Sequence, residues 1–141
     1  MEARAILISI HPGYADKIIA GEKKLEFRRT WAAKPANVLV IYATYPVQRI
    51  VAVANVEQII VGSRSRLWEL ARDIGGGISR TDLFSYLNGK TSAVAIEMSE
   101  ITPIDGGLDP KSLFGRSFRP PQSFRYMKDA EYSKLGRLMD G

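Results

Sequence analysis

At Gly21 the spacing of apolar residues changes from helical to extended, and this switch constrains the fold more than any other feature of the chain. Before it, residues 11–20 read as a short helix, with Pro12 at the first helical position and Gly21 as the left-handed stop. After it, Leu25 and Phe27 alternate with Lys24, Glu26 and Arg28, which is the period of a strand. That spacing sends Leu25 and Phe27 into a core. It lines the opposite face with Lys24, Glu26 and Arg28, and places Lys23 and Arg29 at its ends. Two lysines, two arginines and two glutamates crowd residues 21–29. Such a face is either a solvated strand surface or the wall of a binding cleft.

Further strands and helices follow from the same patterns. Residues 4–10 are apolar enough for a buried first strand, and Val38 to Ala43 for a second. Residues 49–60 form a long β-branched run that pairs antiparallel with its predecessor across a short connection. Residues 66–74 carry Leu67, Leu70, Ala71 and Ile74 at helical spacing, with Ser65 as the expected cap. Gly75, Gly76 and Gly77 break that helix and read as a helix–helix joint, because a phosphate-cradling loop would follow a strand and carry further motif residues. Ser79 with Asp82 starts a second helix over 80–87, and Asn88-Gly89 ends it. Another strand spans 92–101, a brief helical turn leads to Leu113 and Phe114, 115–126 is irregular or extended, and a last helix covers 129–139. Two groups of strands with helices between them describe a small α+β domain, a short β-barrel flanked by helices.

Composition excludes several chemistries. The chain lacks cysteine, so disulfides, thiolate catalysis and cysteine-held zinc or iron–sulfur sites are ruled out. Its one histidine, His11, is too few for a histidine metal site or an ordinary serine triad, and its place before Pro12 suits capping. We expect no metal and no cofactor. No apolar run reaches the roughly 18–20 residues of a membrane span, and Met1-Glu2-Ala3-Arg4 does not open a signal peptide, so a soluble, cytoplasmic, monomeric protein is expected. The net charge of +5 favours an anionic partner. Residues 1–49 hold 8 Lys+Arg against 4 Asp+Glu and residues 111–141 hold 7 against 3, whereas residues 50–110 hold 5 against 8. A compact fold can bring the two basic ends onto one face.

Aromatic residues beside arginines suggest where a base would stack. Trp31 follows Arg28-Arg29 in a loop, which suits either stacking on an unpaired base or a lid over the core. Trp68 and Phe84 lie on helices and are expected in the core. Phe124 is expected to pin the C-terminal segment, while Arg119 and Arg125 are open to a ligand. Glu26 beside Lys23 and Lys24 is either a general base with cationic helpers or a buried partner that orients Arg28.

Gly21-Glu22-Lys23-Lys24-Leu25-Glu26-Phe27-Arg28 resembles the G-x-K-x-x-E-x-R signature of the ASCH domain family, within the PUA-like superfamily. The element order around it is similar too, from Pro12 and Tyr14 at the helix start to residues 93–98. The resemblance implies one domain over 1–141, a core over about 5–104 and a C-terminal extension, 105–141, packed upon it. It also implies a small PUA-like mixed barrel whose cleft is lined by the motif. Family members are regarded mainly as RNA-binding or transcription-associated modules, and some are N4-acetylcytidine amidohydrolases or ribonucleases. The amidohydrolase set is incomplete here. Lys23 matches its lysine, Glu26 stands where it has threonine, and its glutamate falls near Gly75-Gly76-Gly77.

The combined expectation is a module, associated with transcription or translation, that binds RNA or a nucleotide-like anion. Lys23 and Arg28 would meet phosphate or base edges, and Glu26 would orient Arg28 or accept from a base. Trp31 would stack, and Lys24, Arg29 and Arg119 would add attraction. The alternative is a hydrolase of a nucleoside or RNA, with Glu26 as base and Lys23 stabilising developing charge.

Overall fold

The computed structural model describes residues 4–140; residues 1–3, within the stretch considered for a signal peptide, and residue 141 lie outside it. Strand β1 (Ala5–Ile10) is buried on both faces. Ile6, Ile8 and Ile10 point into one apolar cluster, and Ala5 and Leu7 into another. Double burial explains its apolar run, interrupted only by Ser9. Helix α1 (Pro12–Ile19) follows, and Gly21 leaves it at φ 81°, the conformation expected of a glycine stop.

Strands β2 (Leu25–Arg28), β3 (Val38–Ala43), β4 (Arg49–Gly62) and β5 (Ala93–Leu108) come next, with β6 (Phe124–Tyr126) near the C-terminus. All six form one sheet in the order β2-β5-β4-β3-β1-β6. The β1–β3 pair is parallel, in register from Ala5↔Val38 to Ile10↔Ala43, and the other pairs are antiparallel. β2 and β6 are the sheet's edges, yet Arg28 at the end of β2 reaches the Ser9 carbonyl on β1 and Ser123 just before β6. The sheet is therefore curled into a half-barrel, and a side chain spans the seam between its edges.

Helices α2 (Arg64–Leu70) and α3 (Arg80–Tyr86) are inserted between β4 and β5. Leu67, Leu70, Leu83 and Leu87 close over Leu25 and Phe27 on the core face of β2. Burying one such side chain contributes about 1.5–3 kcal/mol. At the C-terminal end, α4 (Lys111–Phe114) and α5 (Asp129–Asp140) set Leu113 and Leu135, with Met127, against Leu7, Val40 and Tyr42.

Three local expectations change. The cap of α2 is Ser63, whose Oγ accepts from the Arg66 N–H at 3.2 Å, so the helix starts earlier than Ser65 would allow. It leaves through a π-turn, Ala71–Gly75, closed by the Gly76 N–H on the Ala71 carbonyl. β5 continues past Ile101 to Leu108, because pairing such as Val53↔Thr102 and Ile50↔Leu108 persists after hydrophobic alternation is lost.

Candidate functional site

The motif's three buried charges meet where α1, β2 and the inserted helices converge. Glu26 and Arg28 occupy the same face of β2 by the strand period. Lys23, in the turn before β2, faces them. Their exposures are 2% for Lys23, 7% for Glu26 and 8% for Arg28, so the motif lines an interior cleft, not a solvated strand surface.

Arg28 is fully engaged. Its Nε and Nη2 donate to Glu26 Oε2 at 3.1 and 2.7 Å. Nη2 also donates to the Ser9 carbonyl at 2.8 Å, and Nη1 to Ser123 Oγ at 3.1 Å. A guanidinium has five N–H donors in a planar fork, and this arrangement occupies all three nitrogens. Arg28 thus ties β2 to the opposite edge of the sheet and holds Glu26, leaving no nitrogen unengaged for an incoming phosphate.

Glu26 divides its two oxygens. Oε2 is taken by Arg28, while Oε1 faces the Lys23 ammonium at 3.7 Å, beyond hydrogen-bonding distance. Lys23 Nζ donates to the Gly76 carbonyl at 2.6 Å and lies 5.0 Å from the ring centroids of both Tyr14 and Phe27. Burial lowers the Lys23 pKa and Lys17 and Arg28 lower it further, against the raising pull of Glu26. Tyr14 is shifted upward by burial first, then by Asp82 and Glu26.

The triple glycine has a definite role in this arrangement. Gly76 and Gly77 run directly beneath the lysines, and their carbonyls accept from Lys23 and, at 3.2 Å, from Lys17. Gly77 has φ +64°, and a Cβ there would lie 2.6 Å from Lys23 Cβ. Only glycine allows that approach.

The resulting cleft has a volume of about 240 Å³. Lys23, Glu26 and Arg28 line it together with Ser9, His11, Tyr14, Asp82 and Tyr86. The remaining residues singled out in the sequence lie elsewhere. Lys24 is exposed and does not line the cleft. Arg29 donates to the Tyr86 and Asn88 carbonyls at 2.7 and 2.9 Å, satisfying the C-terminal end of α3. Trp31 packs on the core and against Phe124, ring centroids 4.6 Å apart, which is the lid arrangement and pins the tail as expected of Phe124. Arg119 is exposed and away from the cleft. Arg125 pairs with Glu131 at 3.2 Å and stacks over Phe114. Trp68 packs against the core, whereas Phe84, expected there, is half-buried under the guanidiniums of Arg64 and Arg80.

His11 caps α1, its Nδ1 accepting from the Gly13 N–H at 3.1 Å, and also lines the cleft. Asp82 and Tyr86 enter the cleft from α3 although nothing near the motif pointed to them. Their i, i+4 spacing, offset from the buried Leu83 and Leu87, was the available signal. Ser9 and Ser123 carried none.

Comparison with known proteins agrees with this architecture. The family model described as ASCH domain matches residues 8–104. An ASCH domain-containing ribonuclease of Zymomonas mobilis subsp. mobilis is 30% identical over 140 residues, covering 97% of this chain and 93% of that protein. The crystal structure of ASCH from Zymomonas mobilis superposes with a TM-score of 0.86 at 29% identity, covering 95% of this chain and 94% of that one. A serine-to-alanine mutant of that protein gives a TM-score of 0.85 at 30% identity, with 95% of each chain covered. The chain belongs to the ASCH domain family.

Proposed function

We propose that the cleft binds an unpaired base of single-stranded RNA. The observation that carries this reading is an acceptor beside a donor in the cleft lining: Glu26 Oε1 lies 3.7 Å from the Lys23 ammonium, and Arg28 holds the other oxygen. Adjacent donor and acceptor positions match the edge of a nucleobase, and Tyr14 and Tyr86 supply aromatic walls. Specific ligand pockets run to about 300–1,000 Å³ for drug-sized molecules, so a cleft of about 240 Å³ is sized for one base and its sugar. Lys23 and Glu26 read the base, Tyr14 stacks on it, and Arg28 acts only by positioning Glu26.

The test is fluorescence anisotropy with a short single-stranded oligoribonucleotide and the matching duplex. The single strand binds and the duplex does not compete. Tyr14→Ala weakens binding about tenfold or more, since base–aromatic stacking contributes about 1–3 kcal/mol. Equal affinity for duplex and single strand, or no binding at low salt, refutes the reading.

The relative named as a ribonuclease favours a second reading, in which the bound strand is cut. The 2′-hydroxyl would attack the adjacent phosphorus and expel the 5′-oxygen, leaving a 2′,3′-cyclic phosphate. Glu26 Oε1 would accept the hydroxyl proton, and the Lys23 ammonium would stabilise charge on phosphorus and protonate the leaving oxygen. Incubation with end-labelled RNA separates the two readings. Cleavage abolished by Glu26→Gln supports the enzyme, and binding without turnover supports the module.

A further inference from the structure

Charge is segregated along the cleft. Within the base pocket, Lys23 and Arg28 are balanced by Glu26 and Asp82. A neutral base suits such a pocket, and a phosphate there would face two carboxylates. Past Tyr14 the cleft opens into an outer groove of about 430 Å³ lined by His11, Gly13, Tyr14 and Lys17, with no carboxylate among them. Tyr14 and His11 line both, with Lys23 Nζ 5.0 Å and Lys17 Nζ 5.8 Å from the Tyr14 ring centroid.

The donors of this outer groove are prearranged. His11 Nδ1 accepts from the Gly13 N–H, so the proton of the neutral imidazole lies on Nε2. Lys17 Nζ is steadied by one hydrogen bond to the Gly77 carbonyl, which leaves two of its three N–H donors for a ligand. The glycine segment that seats Lys23 through Gly76 therefore also seats Lys17 through Gly77.

We propose that the groove beside Tyr14 is a phosphate seat, in which Lys17 and His11 hold the phosphate of the nucleotide whose base occupies the inner pocket. The ligand class is a nucleoside monophosphate unit, either within a strand or free. This inference rests on the inner pocket taking a base, and it adds that recognition is bipartite. Base and phosphate are read in two cavities that share Tyr14 and His11 as lining.

Isothermal titration with each nucleoside, its 3′- and 5′-monophosphates and inorganic phosphate tests it. The preferred nucleoside binds, and one of its monophosphates binds about tenfold tighter, the scale of one charge-assisted hydrogen bond. In Lys17→Ala the ratio of monophosphate to nucleoside affinity falls to near one, and Lys17→Arg restores it. With single-stranded RNA, Lys17→Ala reduces the slope of log affinity against log salt by about 0.7, as loss of one phosphate contact requires. The same slope change with RNA but no gain for any free monophosphate would overturn the seat as a nucleotide site. Nucleoside binding with no monophosphate advantage in the wild type overturns the seat and leaves the base pocket standing. Absence of both overturns the two together. Inorganic phosphate competing as well as the monophosphate would reduce the groove to a general anion site and also overturn it. Lys17 is exposed, so an unchanged thermal melt of each variant is expected and checks the fold.

Discussion

Replacing Arg28 with alanine separates a structural clamp from a ligand contact, because the two roles predict opposite losses. Truncation removes both guanidinium bonds to Glu26 Oε2 and strips the Ser9 carbonyl and Ser123 hydroxyl of their donor. The carboxylate is left buried and, among the described residues, ion-paired only with the Lys23 ammonium, 3.7 Å from Oε1. Breaking a buried pair by deleting one partner costs about 3–5 kcal/mol. Lys23 offsets part of this, so the lower end, about 3 kcal/mol, is expected. For a chain of this size that corresponds to a fall in Tm of about 10 °C. Equilibrium urea unfolding followed by tryptophan fluorescence measures it, with an unchanged m-value showing that the two-state comparison is sound. Arg28→Lys recovers only part of the loss, since an ammonium cannot reproduce the fork to Glu26 and the seam together. Adding Glu26→Gln to Arg28→Ala costs less than the sum of the single changes, because the orphaned charge disappears. If Arg28→Ala loses under about 1 kcal/mol while abolishing RNA binding, Arg28 is a ligand contact and the clamp is wrong.

Two further perturbations address Lys23. Gly77→Ala forces a Cβ to within 2.6 Å of Lys23 Cβ at a φ of +64°, so we expect a loss of about 1–3 kcal/mol in urea unfolding together with weaker RNA binding; wild-type values for both would show that the glycine approach is dispensable. Burial lowers the pKa of Lys23 in the folded chain, so the unfolded chain keeps that proton to higher pH. Where unfolded protein binds more protons, stability rises with pH. The contribution of Lys23 therefore increases across the alkaline range up to its unfolded pKa of about 10.4. Lys23→Met flattens this rise relative to wild type in urea midpoints taken from neutral to alkaline pH, and identical slopes would refute it.

What could be read from the sequence, and what could not, divides at the difference between direction and partner. Period-two alternation put Glu26 and Arg28 on one face of β2 and Leu25 and Phe27 on the other, because strand geometry alone decides it. What comes to meet those side chains is set by contacts distant in the chain. Asp82 and Tyr86 reach the cleft only because α2 and α3 close over β2, and Ser123 reaches Arg28 only because β6 pairs with β1. Arg29 stands next to Arg28 and looks equivalent, yet α3 ends beside it and its guanidinium satisfies the Tyr86 and Asn88 carbonyls. Trp31 was ambiguous for the same reason, since the Phe124 that covers it belongs to the tail. Even the competition between Ser63 and Ser65 as cap depends on where β4 stops pairing with β5, at Gly62↔Ala93.

The signature thus reads differently once its partners are in place. Its arginine spans the half-barrel seam and holds one glutamate oxygen, leaving the other to the lysine ammonium 3.7 Å away. Its lysine is seated on a glycine carbonyl from the inserted segment. Fold and site use the same atoms here. If the proposed site is right, a substitution at Arg28 is expected to change ligand binding by way of Glu26's position, whereas one at Lys17, outside the clamp, is expected to change binding while leaving the seam intact.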